Sequence, residues 1–358
     1  MCAQFGVLLL AYWQFREMLD LYINSLFLST IGLTIAKAGA NFAALRAPTS
    51  TDVVNSARPT PAIALTRIAM GVAATLLAAQ IQGTSHVVPA AFMGIAFGLA
   101  HNEAYGAFLR GTYLGDVAIS LFGVAHFACV LGALLAFEMS FPVPEGATAF
   151  FGLALAVALF LALLRSAASL AVGELSYSYA YPLFVYSAAS GLGGHALWSY
   201  FLIIKIVDAT SILISFVFQP RFFSMTASHR QLFAAKLSRV CGWVALAVLA
   251  LATALVGALP AGDHQELVRG ATVGLSIGIT FMLTAIVGFM LVCMSEKATT
   301  IMLYGVALLA GPIAGLVSFR EAGMIPFGPI AGLAVVWCIN QIALSRYLRP
   351  MRPGTLPN

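Results

Sequence analysis

Eleven apolar segments, each close to the length of a membrane-spanning helix, follow one another along this chain of 358 residues. A helix needs about 20 mostly apolar residues to cross a bilayer, since each residue advances it by about 1.5 Å. Only 9% of the residues are charged, against roughly 25% in a soluble domain. We therefore predict an all-α polytopic membrane protein, because lipid offers the backbone no partners outside a helix. The segments are 23–45, 62–81, 87–109, 114–137, 148–172, 180–198, 200–219, 240–260, 270–294, 298–318 and 324–345.

The basic residues fall in alternate gaps between these segments. Of the 18 Lys and Arg residues, twelve belong to one set of alternate gaps and three to the other, and three lie within segments. By the positive-inside rule the richer set faces the cytoplasm. This predicts a multi-pass protein of the cytoplasmic (inner) membrane with a cytoplasmic C-terminus. The charges lie at the ends of loops and do not form one basic face, and the longest charged loop is 221–239. Membrane lipids are therefore expected partners, and nucleic acid is not.

The apolar pattern suggests two halves. Polar residues and tyrosines interrupt it at 173–180, which divides the chain into predicted lobes at 1–175 and 176–358. Each half has a short aromatic motif before a span, at 19–22 and 197–200. Parallel repeats of this kind are common in transporters.

Three stretches carry a resemblance to a known family: 15–46, 181–221 and 288–349. They resemble the polysaccharide (O-antigen and exopolysaccharide unit) flippases of the multidrug/oligosaccharidyl-lipid/polysaccharide exporter superfamily. The resemblance implies two pseudo-repeated bundles of six helices, in which the apolar residues 1–13 are an N-terminal stub of an incomplete first helix and 11 full spans follow. The chain departs from the family in having fewer helices, and its predicted outer loop at 194–199 has no carboxylate.

The resemblance also implies a function in surface polysaccharide biosynthesis. The expected activity is translocation of a lipid-linked oligosaccharide, a sugar unit on a polyprenyl pyrophosphate, by alternating access. Other polysaccharide-assembly proteins are expected partners, and no cofactor is expected. Two alternatives stay open: a membrane-embedded polysaccharide polymerase or ligase, which the short outer loops disfavour, and a small-molecule or drug exporter of the same superfamily.

Charged residues within the predicted spans are the candidate site residues. A charge at mid-membrane costs about 2.5–3.5 kcal/mol on insertion scales, so it usually faces a cavity or a partner. The candidates for an anionic substrate's path are Lys37, Arg67, Lys205 and Asp208. Because Lys205 and Asp208 are three residues apart, a local ion pair is the alternative interpretation. For Arg67 the alternative is contact with headgroups, since it lies near the start of its span.

The remaining polar residues bear on ion coupling and metal binding. Glu103 and Asp208 are candidates for proton or ion coupling, because carboxylates within spans form proton relays in transporters. The histidines and carboxylates show no metal-ligand spacing, so no metal site is predicted. The five cysteines are far apart in sequence and include no CxxC pair, which is typical of buried apolar thiols.

Overall fold

The protein is described here from a computed structural model. It describes residues 16–35, 42, 61–100, 124–125, 127–136, 139, 141–163, 168–189, 192, 194–258, 263–295, 297–321 and 328–347. Within these ranges the labelled helices are α1 Arg16–Ile35, α2 Pro61–Gln82, α3 Val87–Ala100, α4 Ala147–Leu163, α5 Ala168–Ala189, α6 Gly194–Ser224, α7 Ala227–Ala258, α8 Asp263–Met294, α9 Ala298–Leu308, α10 Ala310–Glu321 and α11 Gly328–Tyr347. Residues 127–135 are also helical, and no β-strand occurs in the described part of the chain.

Five helical stretches within the described ranges are long and apolar enough to cross a membrane. They are Ala64–Gln82, Leu232–Leu255, Glu266–Met294, Ala298–Val317 and Pro329–Arg346. The prediction of an all-helical membrane protein is thereby confirmed at this coarse level. The full count of 11 spans and the repeated bundles stay predictions.

The chain forms two compact units, Met1–Tyr179 and Ala180–Asn358. Helix α5 runs without a break through 173–180, so the interruption of the apolar pattern there does not end a helix. The polar side chains of that stretch lie on a continuous helix because its backbone hydrogen bonds are local and do not depend on side-chain polarity.

Two predicted loops are also helical. Helix α6 begins at Gly194, so the outer loop predicted at 194–199 is its first turn and a half. The cytoplasmic loop predicted at 221–239 is reduced to Met225 and Thr226, between the end of α6 and the start of α7. Charge excludes these residues from the hydrocarbon of a bilayer but does not end a helix.

Helices α2 and α3 form a tight antiparallel hairpin in the first unit. Gly83 follows α2 with a φ of 65°, the left-handed conformation that glycine adopts at no steric cost. Its N–H donates to the Gln80 carbonyl and the Thr84 N–H donates to the Ala79 carbonyl, both at 3.1 Å. These two bonds form a Schellman cap, which satisfies carbonyls at the helix end and turns the chain into α3.

Glycines let α2 and α3 approach closely. Gly94 and Gly98 are four residues apart on α3, and a Cβ on Gly98 would lie 2.9 Å from the Arg67 carbonyl oxygen of α2. This is the small-residue packing expected between helices in lipid, where backbone contact replaces the hydrophobic effect.

The second unit uses the same device between α6 and α8. Gly270, Gly274 and Gly278 lie on one face of α8. A Cβ on Gly274 would be 2.8 Å from the Tyr200 carbonyl oxygen, and one on Gly278 would be 2.8 Å from the Val207 Cβ. Since successive glycines meet successive turns of α6, the two helices run parallel. The contact between Gly278 and Val207 turns that face of α6 toward α8 and so sets the position of the next residue, Asp208.

The predicted segment 298–318 contains a helix break. Helix α9 ends at Leu308 and α10 begins at Ala310. Pro312 has no N–H to donate to the Leu308 carbonyl and its ring would clash there, which interrupts the helix.

Candidate functional site

Tyr181, Lys205 and Asp208 come together in the second unit and are called here the Asp208 cluster. The Lys205 Nζ atom lies 3.5 Å from Asp208 Oδ2, one turn along α6. The Tyr181 hydroxyl of α5 donates a hydrogen bond of 2.6 Å to Asp208 Oδ1. Each carboxylate oxygen of Asp208 therefore has a different partner, one a cation and one a neutral hydroxyl. The ion pair that the spacing of Lys205 and Asp208 suggests is present.

Aromatic packing and a second tyrosine hold the cluster in place. The Tyr181 ring lies 5.1 Å from the Phe281 ring of α8, centroid to centroid. The hydroxyl of the fully buried Tyr200 donates to the Val185 carbonyl at 2.9 Å, which ties α6 to α5. These contacts fix Tyr181 relative to α6, so its hydroxyl is positioned for Asp208 without depending on Lys205.

The cluster is only partly covered. The side chain of Lys205 is 22% exposed and that of Asp208 is 32% exposed. The separation of 3.5 Å is longer than the 2.7–2.9 Å or so of a strong charge-assisted hydrogen bond. An accessible and loosely held ion pair can exchange one of its members for a ligand of the same charge.

A second polar cluster joins three helices of the same unit and is called here the Asn340 network. The Tyr304 hydroxyl of α9 donates to Asn340 Oδ1, and Asn340 Nδ2 of α11 donates to Thr284 Oγ1 of α8, each at 2.8 Å. The Thr284 hydroxyl in turn donates to the Thr280 carbonyl at 2.8 Å. All three side chains are neutral and buried, so the network presents no exposed charge to a ligand.

A small cavity adjoins the Asn340 network, and its size decides what it can hold. Its volume is about 10 Å³, which is room for about one water molecule, whereas pockets for organic ligands measure about 300–1,000 Å³. Thr280 Oγ1 and Trp337 Nε1 are buried at it and have no hydrogen-bond partner among the described residues. A sugar unit does not fit here. The lining residues are Cys241, Ala245, Thr280, Leu283, Val287, Trp337, Asn340, Gln341 and Leu344.

The first unit holds Arg67 and a carboxylate that the sequence analysis did not single out. Arg67 is 5% exposed, so it is buried in protein, which favours a contact inside the unit over the alternative of contact with headgroups. Glu174 is 2% exposed, and one of its oxygens accepts a hydrogen bond of 3.3 Å from the Phe42 backbone N–H. The sequence signal for Glu174 was its position as a lone carboxylate near the end of an apolar stretch, but it was counted with the polar interruption at 173–180 and not as a residue within a span.

The predicted site residues thus divide into three groups. Lys205 and Asp208 are brought together, and Arg67 lies in the other unit. Lys37 and Glu103 lie outside the described residues, so their predicted roles in the substrate path and in ion coupling stay predictions. Tyr181 was missed because it is 27 residues from Asp208 and on another helix.

No group of three or more His, Cys, Asp or Glu side chains that could hold a metal ion occurs within the described ranges. In comparisons with known proteins, no family, no curated protein and no solved structure matches this chain.

Proposed function

We propose that this protein is a membrane transporter that translocates a lipid-linked oligosaccharide, a sugar unit on polyprenyl pyrophosphate, across the cytoplasmic membrane by alternating access. The observation that carries the proposal is the partly exposed Lys205–Asp208 ion pair within an otherwise apolar part of α6. The proposed C-terminus is cytoplasmic, from the alternation of basic gaps. The polyprenyl tail stays in the bilayer, so the protein must shield only the sugar and the pyrophosphate.

Lys205 would bind the pyrophosphate by exchanging partners. A phosphate oxygen competes with Asp208 Oδ2 for the ammonium group, and at a separation of 3.5 Å the carboxylate does not hold Lys205 tightly. Bonds from an ammonium group to phosphate and to carboxylate are both charge-assisted, so a phosphate oxygen that approaches more closely than 3.5 Å can replace the carboxylate.

Tyr181 would keep Asp208 in place during this exchange. Its hydrogen bond to Oδ1 is not the one that the phosphate replaces. Asp208 would then face a new negative charge, and like charges favour binding of a proton or a cation to one of them. The same cluster would therefore link anion binding to ion coupling, the second role predicted for Asp208.

A transport assay on the purified protein tests this function. The full chain is reconstituted in vesicles with a fluorescent polyprenyl-pyrophosphate oligosaccharide, and its movement is followed by an added reagent that reacts only in the outer leaflet. Wild type should move the lipid, and Lys205→Ala should move it about tenfold to 100-fold more slowly. Lys297→Ala, a change of an exposed lysine outside the cluster, should match wild type.

A gene deletion in the source cell separates the alternatives. Accumulated lipid-linked oligosaccharide with loss of surface polysaccharide supports the proposal. Normal translocation with altered polymer length would instead indicate a polymerase or ligase, and drug hypersensitivity alone would indicate an exporter. Either of these two results contradicts the proposal.

A further inference from the structure

One face of α7 stays exposed along the helix and changes from basic to apolar. His229, Lys236 and Arg239 are exposed on it, followed by Val240 and Trp243, which are 57% and 72% exposed. At about 100° per residue, His229, Lys236, Arg239 and Trp243 fall within an arc of about 80°. We call Lys236 and Arg239 the basic stripe.

No carboxylate in the nearby sequence neutralises the basic stripe. The chain has no Asp or Glu between Asp208 and Asp263. The neighbouring Arg230 is turned toward the protein instead: its Nε–H donates to the Met225 carbonyl at 3.0 Å, and its guanidinium lies 5.6 Å from the centre of the Phe222 ring. The exposed cations of α7 therefore form a positive surface with no local counter-charge in its own segment.

The length of α7 places this surface at the edge of the bilayer. The candidate span Leu232–Leu255 has its two charges, Lys236 and Arg239, near its first end, so its uncharged part begins at Val240. From Val240 to the end of α7 at Ala258 the helix advances about 28 Å, close to the roughly 30 Å of a hydrocarbon core. Arg239 and Lys236 then lie outside the hydrocarbon by no more than about 6 Å, which is the depth of the headgroup layer. His229 lies about 15 Å above Arg239, beyond the headgroups.

We propose that Lys236 and Arg239 bind the phosphates of anionic phospholipids, and that Trp243, about 6 Å further along the helix, is anchored just below them. Tryptophan is enriched at this depth because its ring is apolar and its N–H is polar. The occupant is the bilayer's own anionic lipid, selected by charge over a zwitterionic one. This surface is independent of what the protein transports.

Lipid retention by the full-length protein tests the proposal. Wild type and the double variant Lys236→Gln/Arg239→Gln are released from nanodiscs that contain equal amounts of phosphatidylglycerol and phosphatidylcholine, and bound lipids are counted by native mass spectrometry. Wild type should prefer phosphatidylglycerol. In the double variant the ratio of bound phosphatidylglycerol to phosphatidylcholine should fall by about 25-fold. Each cation near an anionic surface contributes about fivefold, equivalent to about 1 kcal/mol.

Two further variants make the result specific. Lys297→Gln is the matched control, because this exposed lysine directly follows Glu296 in sequence and should retain the wild-type preference. Lys236→Arg/Arg239→Lys keeps both charges and should also retain it. Equal retention of the two lipids by wild type would overturn the proposal, and so would an equal loss in Lys297→Gln. Size-exclusion profiles matching wild type show that the exposed substitutions leave the fold intact.

Discussion

The Asp208 cluster and the Asn340 network lie in the same unit, yet they differ in net charge and in the exposure of their side chains to solvent. The Asn340 network is neutral and buried, and the Asn340 side chain bonds at both its oxygen and its nitrogen. The Asp208 cluster contains a cation and a carboxylate that are 22% and 32% exposed and 3.5 Å apart. Polarity inside a membrane protein is therefore not by itself a functional sign. A buried neutral network stabilises one arrangement, whereas a loose, accessible charge pair can accept a ligand.

The largest effect is expected for Lys205→Ala. Transport per folded molecule should fall by about tenfold to 100-fold, since a hydrogen bond to a charged group contributes about 1.5–3 kcal/mol. The melting temperature should change little, because both side chains are partly exposed and can be hydrated. Initial translocation rates normalised to the monodisperse protein measure this, and an unaltered rate would contradict a role for Lys205 in the substrate path.

A charge exchange, Lys205→Asp with Asp208→Lys, sharpens the contrast. An ion pair with a structural role should tolerate the exchange, because opposite charges still lie three residues apart on one helix. A substrate site should not, since Tyr181 would then face an ammonium group and the cation would have moved one turn. We expect near-normal stability and a loss of transport at least as large as in Lys205→Ala. A wild-type transport rate in the exchanged protein would show that Lys205 and Asp208 form a structural ion pair and not a substrate site.

For the buried network, Asn340→Leu should act on stability. It removes two interhelical hydrogen bonds and should cost about 1–3 kcal/mol, since such bonds in membranes average about 0.6 kcal/mol and an unpaired buried group adds to the loss. Thermal unfolding in detergent measures the shift. Transport per folded molecule should be retained, and its loss without a drop in melting temperature would place the network in the transport path.

The smallest effect is expected for Tyr181→Phe. It removes one hydrogen bond to Asp208 and keeps the ring that packs on Phe281. Because Tyr181 acts on transport only by positioning Asp208, the fall should be about threefold to tenfold, less than the full loss of a hydrogen bond to a charged group. Tyr186→Phe, a change of an exposed tyrosine one turn further along α5, is the matched control. Equal transport rates for both variants and wild type would show that the Tyr181 hydroxyl has no role in transport.

The sequence predicted local relationships well and distant ones poorly. Lys205 and Asp208 could be paired because helical spacing alone brings them together. Tyr181 could not be assigned to them, and Tyr304, Asn340 and Thr284 could not be joined. Those contacts depend on how separate helices pack, which a single sequence does not specify.

The same limit explains what the sequence missed in the fold. The glycine spacing at 270, 274 and 278 is visible in the sequence and marks a close contact, but it does not say that α6 is the partner. The loops predicted at 194–199 and 221–239 were wrong because polarity was taken to end a helix. Polarity indicates where a helix leaves the bilayer, and α7 passes that point without a break.

The central claim is that the Asp208 cluster serves transport and the Asn340 network serves stability. The most direct test measures translocation of a polyprenyl-pyrophosphate oligosaccharide by Lys205→Ala and Asn340→Leu side by side, at equal amounts of folded protein in the same vesicles. We expect Lys205→Ala to translocate about tenfold to 100-fold more slowly and Asn340→Leu to keep the wild-type rate. Loss in Asn340→Leu with a wild-type rate in Lys205→Ala would contradict it.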